Sequence, residues 1–160
     1  MSRQSRGTLN ARTARRLAVA WLRSNSVVDA AFEQRSAIGA PIEIVNPEGA
    51  PAGWFVPLTL GTKLLGFVQL DHQGNIARYA TFQRRSASLD GCPEARSWLD
   101  PSRIKRVARR VAPHRARLGV PMLTYDRVPT RLVWAVNATS PGEQRTIFVA
   151  GDFTYEAPRN

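Results

Sequence analysis

The chain has 160 residues, 43% of them hydrophobic, which suffices for one ordinary domain or two small ones with a sizeable core. Its 23 basic residues against 12 acidic ones give a formal charge of +11 and favour anionic partners: nucleic acid, an acidic protein or a negatively charged membrane surface. A single cysteine excludes an intramolecular disulfide framework and a cysteine-rich zinc site, and no apolar run is long enough to span a membrane.

From Met1 to Val28 the chain carries six basic side chains and no acidic one. Leu9, Ala14, Leu17, Ala18, Trp21 and Leu22 recur at helical spacing while Arg12, Arg15, Arg16 and Arg23 lie largely off that stripe, so an amphipathic basic helix is predicted. "SNS" at 24–26 divides it from a second piece ending near Arg35. The apolar run "LAVAWL" is shorter than a secretory core, and a free thiol suits a reducing compartment, so a bacterial cytoplasmic location is expected. The acid-free, Arg- and Ser-containing start also has the composition of a mitochondrial transit peptide.

Four apolar runs follow as predicted strands: "PIEIV", "GWFVPLTL", "LLGFVQL" and "NIARYATF". The last two are joined by "DHQGN". Gly74 accepts positive φ there and Asn75 tolerates turn geometry. Adjacent residues on a strand point to opposite sides, and no nucleophile stands beside Asp71 and His72, so the pair reads as a turn rather than a catalytic dyad.

"QRRSASLDGCPEARSW" shows little periodicity and reads as a linker. Its Cys92 lies between Asp90 and Glu94, whose carboxylates disfavour a thiolate, and is expected to be a solvent-exposed, unreactive thiol. The two histidines, His72 and His114, are too far apart in sequence to give a metal-ligand spacing, and no glycine-rich phosphate loop follows a strand. No catalytic, cofactor-binding or metal-binding residue is therefore assigned.

Asp100 then provides an N-cap and Pro101 the first helical position. Ile104, Val107, Ala108 and Val111 make an apolar stripe, with Arg103, Lys105, Arg106, Arg109 and Arg110 on the remaining faces. Pro113 stops this helix. Strands are predicted at Met122 to Tyr125, in "RLVWAVNAT" and "RTIFVAG" around the hairpin signal "SPGEQ", and at Phe153 to Tyr155.

Laid over itself so that Val27 falls on Val107, the chain repeats. In the same register Arg35, Gly39, Pro41, Trp54, Val56 and Thr59 fall on Arg115, Gly119, Pro121, Trp134, Val136 and Thr139. Between Val27 and Thr59 that makes seven identities, where average composition gives roughly two. A duplication follows. The expected fold is α+β, with two tandem repeats, each a helix packed on an antiparallel β-meander. The first occupies 1–83 with an N-terminal helical extension, the linker 84–99 and the second repeat 100–160. Trp54 and Trp134 are expected at equivalent core positions, while Trp21 and Trp98, which have no counterpart under the shift, are expected to pack the extra elements. Whether the two meanders join into one sheet is left open by the sequence.

The order helix, strand, then a hairpin of the form "GFVQLDHQGNIARY" resembles PepSY and cystatin-like propeptide units, in which a strand ending in Asp enters a Gly-containing turn. "IFVAGDFTYE" is a degraded counterpart in the second copy. The resemblance implies non-catalytic units that bind or inhibit enzymes, often proteases, in families usually secreted or membrane-attached.

The charge pattern supplies the candidate site. From Pro101 to Leu118 there are seven basic residues and no acidic one. Arg103, Arg106 and Arg110 project from related angles, and with Arg12 and Arg16 they are the predicted partner-binding residues. An acidic protein surface is the expected partner. The alternative is nucleic acid bound through its backbone, since no RNP-type aromatic pair or GXXG clamp is present. A third reading is an enzyme whose site lies between the repeats and joins Cys92 to His114 or His72.

Overall fold

The computed structural model describes residues 9–157. Helix α1 (Ala11–Asn25) starts where Asn10 Oδ1 accepts the Thr13 amide at 2.9 Å, satisfying a donor that the first turn leaves orphaned. It ends at the expected break. Ser24 and Asn25 side chains donate to the carbonyls of Ala20 and Trp21, and Ser26 turns the chain with a left-handed φ of 48°. A single further turn, α2 (Ala30–Glu33), buries Phe32.

Five strands follow: β1 (Ala37–Ile38), β2 (Ile42–Val45), β3 (Pro51–Leu60), β4 (Lys63–Asp71) and β5 (Ile76–Thr81). Then come α3 (Ala95–Leu99) and α4 (Pro101–Arg109), between which Asp100 accepts the amides of Ser102 and Arg103. The chain finishes with β6 (Arg117–Leu118), β7 (Met122–Tyr125), β8 (Leu132–Ser140), β9 (Glu143–Ala150) and β10 (Phe153–Glu156). All ten lie in one sheet, in the order β10-β9-β8-β7-β2-β3-β4-β5, with β1 beside β3 and β6 beside β8. The fold is α+β, and the seam between its halves is the parallel pair β2–β7, with Ile44 opposite Leu123.

The register that superposes Val27 on Val107 runs through the ladders. Ile42 faces Phe55 and Met122 faces Ala135; Ala37 faces Thr59 and Arg117 faces Thr139. The Gly39 amide donates to the Pro57 carbonyl at 2.9 Å, and the Gly119 amide to the Asn137 carbonyl at 2.8 Å.

Side-chain alternation decides which face each helix covers. α1 buries Ala18 and Leu22 against Val56, Val68 and Leu70. Phe55, the chain neighbour of Val56, points the other way and joins the core under α4, where Ile104, Val107 and Ala108 meet Trp134, Val136 and Ile147. The helices therefore sit on opposite faces of the sheet, α1 over β3 and β4, α4 over β8 and β9. Ile44 and Leu123 at the seam belong to that same larger core, so it crosses from one half to the other.

Two tryptophans fasten added elements. Trp21 packs on Tyr79 with ring centroids 5.9 Å apart, and Trp98 packs on Phe82 at 6.2 Å. Trp134 is buried under α4, whereas Trp54 is half-buried under α1.

The segment before α3 is fastened along the β3–β4 hairpin despite its lack of periodicity. Leu64 donates to the Pro93 carbonyl at 2.9 Å, Ala95 to the Thr62 carbonyl at 2.7 Å, and Lys63 Nζ meets Glu94 Oε1 at 2.6 Å. Farther upstream, Asp29 accepts from Gln83 Nε2, Ser86 Oγ and the Ala87 amide. Cys92, expected to be exposed, is 6% accessible among Phe32, Leu58, Leu60 and Leu65. One apolar side chain in a polar segment has no period to betray it, and a thiol packs as a small hydrophobe.

Candidate functional site

The basic face of α1 is built by simple helical geometry. At about 100° per residue, Arg12, Arg16 and Arg23 fall within about 40° of one another, with Arg15 beside them. All four are exposed, and none forms an ion pair among the described residues. They extend about 16 Å along the axis, at about 1.5 Å per residue. The first turn contains no acidic residue, so Arg12 works against the helix dipole and adds its charge to the already positive end. Half-buried Val19 and exposed Ala20 lie among the arginines and give the face a small apolar centre.

The α4 face is smaller than its sequence suggests. Arg103 Nη2 contacts Asp152 Oδ1 at 3.0 Å, its side chain is 26% exposed, and its Nη1 is buried without a partner among the described residues. Arg109 Nη1 donates to the Ala116 carbonyl at 2.6 Å and closes the C-terminal end of the helix. Lys105, Arg106 and Arg110 remain exposed. Helical spacing grouped Arg103 with Arg106 and Arg110, but Asp152 reaches Arg103 from a turn 49 residues away, a contact no local pattern encodes.

The five predicted partner-binding residues do not form one patch. Arg12 and Arg16 stand on the α1 face of the sheet, while Arg103, Arg106 and Arg110 stand on the α4 face. Arg15, Arg23 and Lys105 extend these two surfaces and were legible in the same periodicity, as basic residues off each apolar stripe.

The Asp71 carboxylate is occupied by its own turn. Oδ1 accepts the amides of Gln73 at 2.8 Å and Asn75 at 2.9 Å, and Oδ2 accepts Asn75 Nδ2 at 2.9 Å. Partial burial opposes ionisation, but the hydrogen bonds from Asn75, Gln73 and Gly74 outweigh it and hold the carboxyl below its ordinary range. Gly74 has φ of 91°, as this reversal requires.

Cys92 and His72 flank opposite ends of β4. Cys92 lies beside Leu64 and Leu65 at its start and His72 follows its last residue, so about 25 Å of strand separates them. His114 is exposed in the turn between α4 and β6. Burial pushes the Cys92 thiol up, with Lys63 opposing and Asp90 adding to the rise. Among the described residues, no three His, Cys, Asp or Glu side chains gather as a metal site, and no helix is long and apolar enough to cross a membrane. No family model, curated protein or solved structure matches this chain.

Proposed function

We propose that the protein is a non-catalytic binding protein that docks an acidic protein surface through the exposed basic face of α1, with α4 offering a second, separate basic face. The observation that carries this reading is the row of exposed arginines at 12, 15, 16 and 23, without ion-pair partners among the described residues. Unpaired arginines at the positive end of a helix raise the local potential, steer an anionic partner and supply charge-assisted hydrogen bonds. Val19 and Ala20 between them favour a protein over a polyanion, since protein interfaces place an apolar centre inside a charged rim. The nearby aromatic, Trp21, is engaged with Tyr79 and so does not serve as a stacking platform for bases.

The architecture we infer is a tandem duplication of a PepSY- or cystatin-like unit, with repeats at 1–83 and 100–160 and the 84–99 strap between them. The matched registers of the two sets of ladders support it. So does the disposition of the helices. Two equivalent units joined in parallel through the same strand are turned over relative to one another, and their helices then fall on opposite faces.

The test is a pull-down from an extract of the native organism, half of it treated with nuclease, using the protein and its Arg12→Glu/Arg16→Glu variant. An acidic protein retained after nuclease and lost in the variant is the expected result. Capture that disappears with nuclease identifies the helix as a phosphate reader instead. A partner held equally by the variant rejects the α1 face.

A further inference from the structure

On the C-terminal half of the sheet, the face opposite α4 contains a cavity of about 460 Å³. Its floor comes from β7, β8 and β9, and one wall from the 46–49 loop. Its origin is clear from the corresponding positions in the N-terminal half. There Phe55 stacks on Phe67 with ring centroids 4.5 Å apart, and Pro57 pairs with Phe67 across the ladder. The matching positions are Ala135 for Phe55, Asn137 for Pro57 and Thr146 for Phe67. Two aromatic rings on one half are thus replaced by a methyl group and a threonine on the other, while Phe148 takes the place of Gln69, so this face has one ring fewer and the difference is open volume.

The cavity is furnished with polar groups. Thr124 lines it, is 3% exposed, and its hydroxyl has no hydrogen-bond partner among the described residues. A buried hydroxyl without a partner costs free energy that a ligand can restore. Asp126 also lines it and is 7% exposed; its Oδ2 accepts the Tyr155 hydroxyl at 2.9 Å, and Arg131 stands off at 3.8 Å. Asn137 Oδ1 accepts the Thr146 hydroxyl at 2.9 Å, which leaves the amide NH₂ as its available group. The apolar walls include Met122, Ala135 and Phe148.

These groups define a ligand. The volume lies in the range of small-molecule sites, which combine apolar walls with a few convergent polar groups. Asp126 and Glu48 are balanced by Arg127 in the lining and by Arg131 at 3.8 Å from Asp126, so the recess is near neutral, and its one buried charged group is the Asp126 carboxylate. We propose that the cavity binds a small organic amine, with its apolar body between Met122, Ala135 and Phe148, its ammonium group at Asp126, and a polar substituent at Thr124 and Asn137. The site lies apart from the basic faces of both helices and does not depend on what they bind.

Three probes of one shape test it on the full chain: phenethylamine, neutral 2-phenylethanol and anionic phenylacetate, titrated while amide NMR shifts are followed. Phenethylamine is expected to shift Thr124, Asp126 and Phe148 saturably and to bind at least about tenfold more tightly than phenylacetate, with 2-phenylethanol between them. Ala135→Phe, which restores the ring present at the corresponding position, abolishes binding. Asp126→Asn removes the carboxylate while its amide oxygen still accepts from Tyr155, so it erases the preference for phenethylamine over phenylacetate; this variant tests the proposal even where Ala135→Phe fails to fold, and a preference that survives it would overturn the assignment. Equal binding of phenylacetate, shifts that survive Ala135→Phe, or the absence of saturable shifts with phenethylamine at millimolar concentration would overturn the proposal.

Discussion

The indole N–H of Trp134 donates to the backbone carbonyl of Trp98 at 2.9 Å, tying the first part of β8 to the last turn of α3. Two residues beyond Trp98, Asp100 caps α4. Trp134→Phe keeps most of the apolar volume but strands the carbonyl, and is expected to cost roughly 1–3 kcal/mol. Trp134→Ala adds a cavity and is expected to cost roughly 3–5 kcal/mol. Urea denaturation measures both, and a Phe variant as stable as the parent would show that the bond contributes nothing net.

Asp29 and Asp71 are expected to contribute to the acid limb of stability, together with Glu94, whose carboxyl is held low by its bond to Lys63. Bonds from Ala87, Gln83 and Ser86 hold the Asp29 carboxyl low, and burial at Asp71 is outweighed by its turn bonds, so both fall below the ordinary value of 3.8. A depressed carboxylate stabilises the fold fully above its unfolded pKa and loses that contribution as pH falls through its folded pKa. The stability of the parent is therefore expected to fall below about pH 4. The Asp29→Asn/Asp71→Asn variant is expected to show a shallower decline there, read by thermal melts from neutral pH into strong acid. Parallel curves would mean that other carboxylates set the acid limb.

Local patterns carried much of this structure. Asp100 as a cap, the 24–26 break, the "DHQGN" and "SPGEQ" hairpins and most of both apolar helix stripes were legible because each depends on residues within one or two turns of chain, whereas Val111, expected on the second stripe, lies past the end of α4 and is exposed. Gly39 and Gly119, which fall on one another in the sequence register, donate to the Pro57 carbonyl on β3 and the Asn137 carbonyl on β8. The rest depends on partners far apart in sequence. The β2–β7 seam rests on strand edges without a pairing code, the Arg103–Asp152 contact spans 49 residues, and Cys92 is buried by a strap that has no period of its own.

Cys92 is expected to resist thiol reagents in the folded protein. Burial first, then Asp90, keep it protonated against the pull of Lys63, and Phe32 and Leu65 cover it. Labelling with a disulfide dye should be slow without denaturant and complete within mixing time in urea. Rapid labelling of the native protein would mean that the 84–94 strap opens readily.

Arg103 and Arg106 are expected to differ in what they contribute to stability. Arg103→Glu sets a carboxylate against Asp152 and should lower stability by about 1 kcal/mol, the scale of a partly exposed pair. Arg106→Glu, on an exposed position of the same helix, should leave the melting temperature nearly unchanged. Equal melting of the two variants would show that the Asp152 contact is not maintained in solution.

On the proposed binding function, the placement of α1 and α4 on opposite faces would fix the valence of the molecule. A rigid partner seated on one basic face has its back to the other, so the second helix stays free for another copy or a different molecule. Two such sites on one plate, facing apart, would make a cross-linker rather than a clamp. Local concentration, more than the affinity of either face alone, then governs how strongly such a protein gathers its partners.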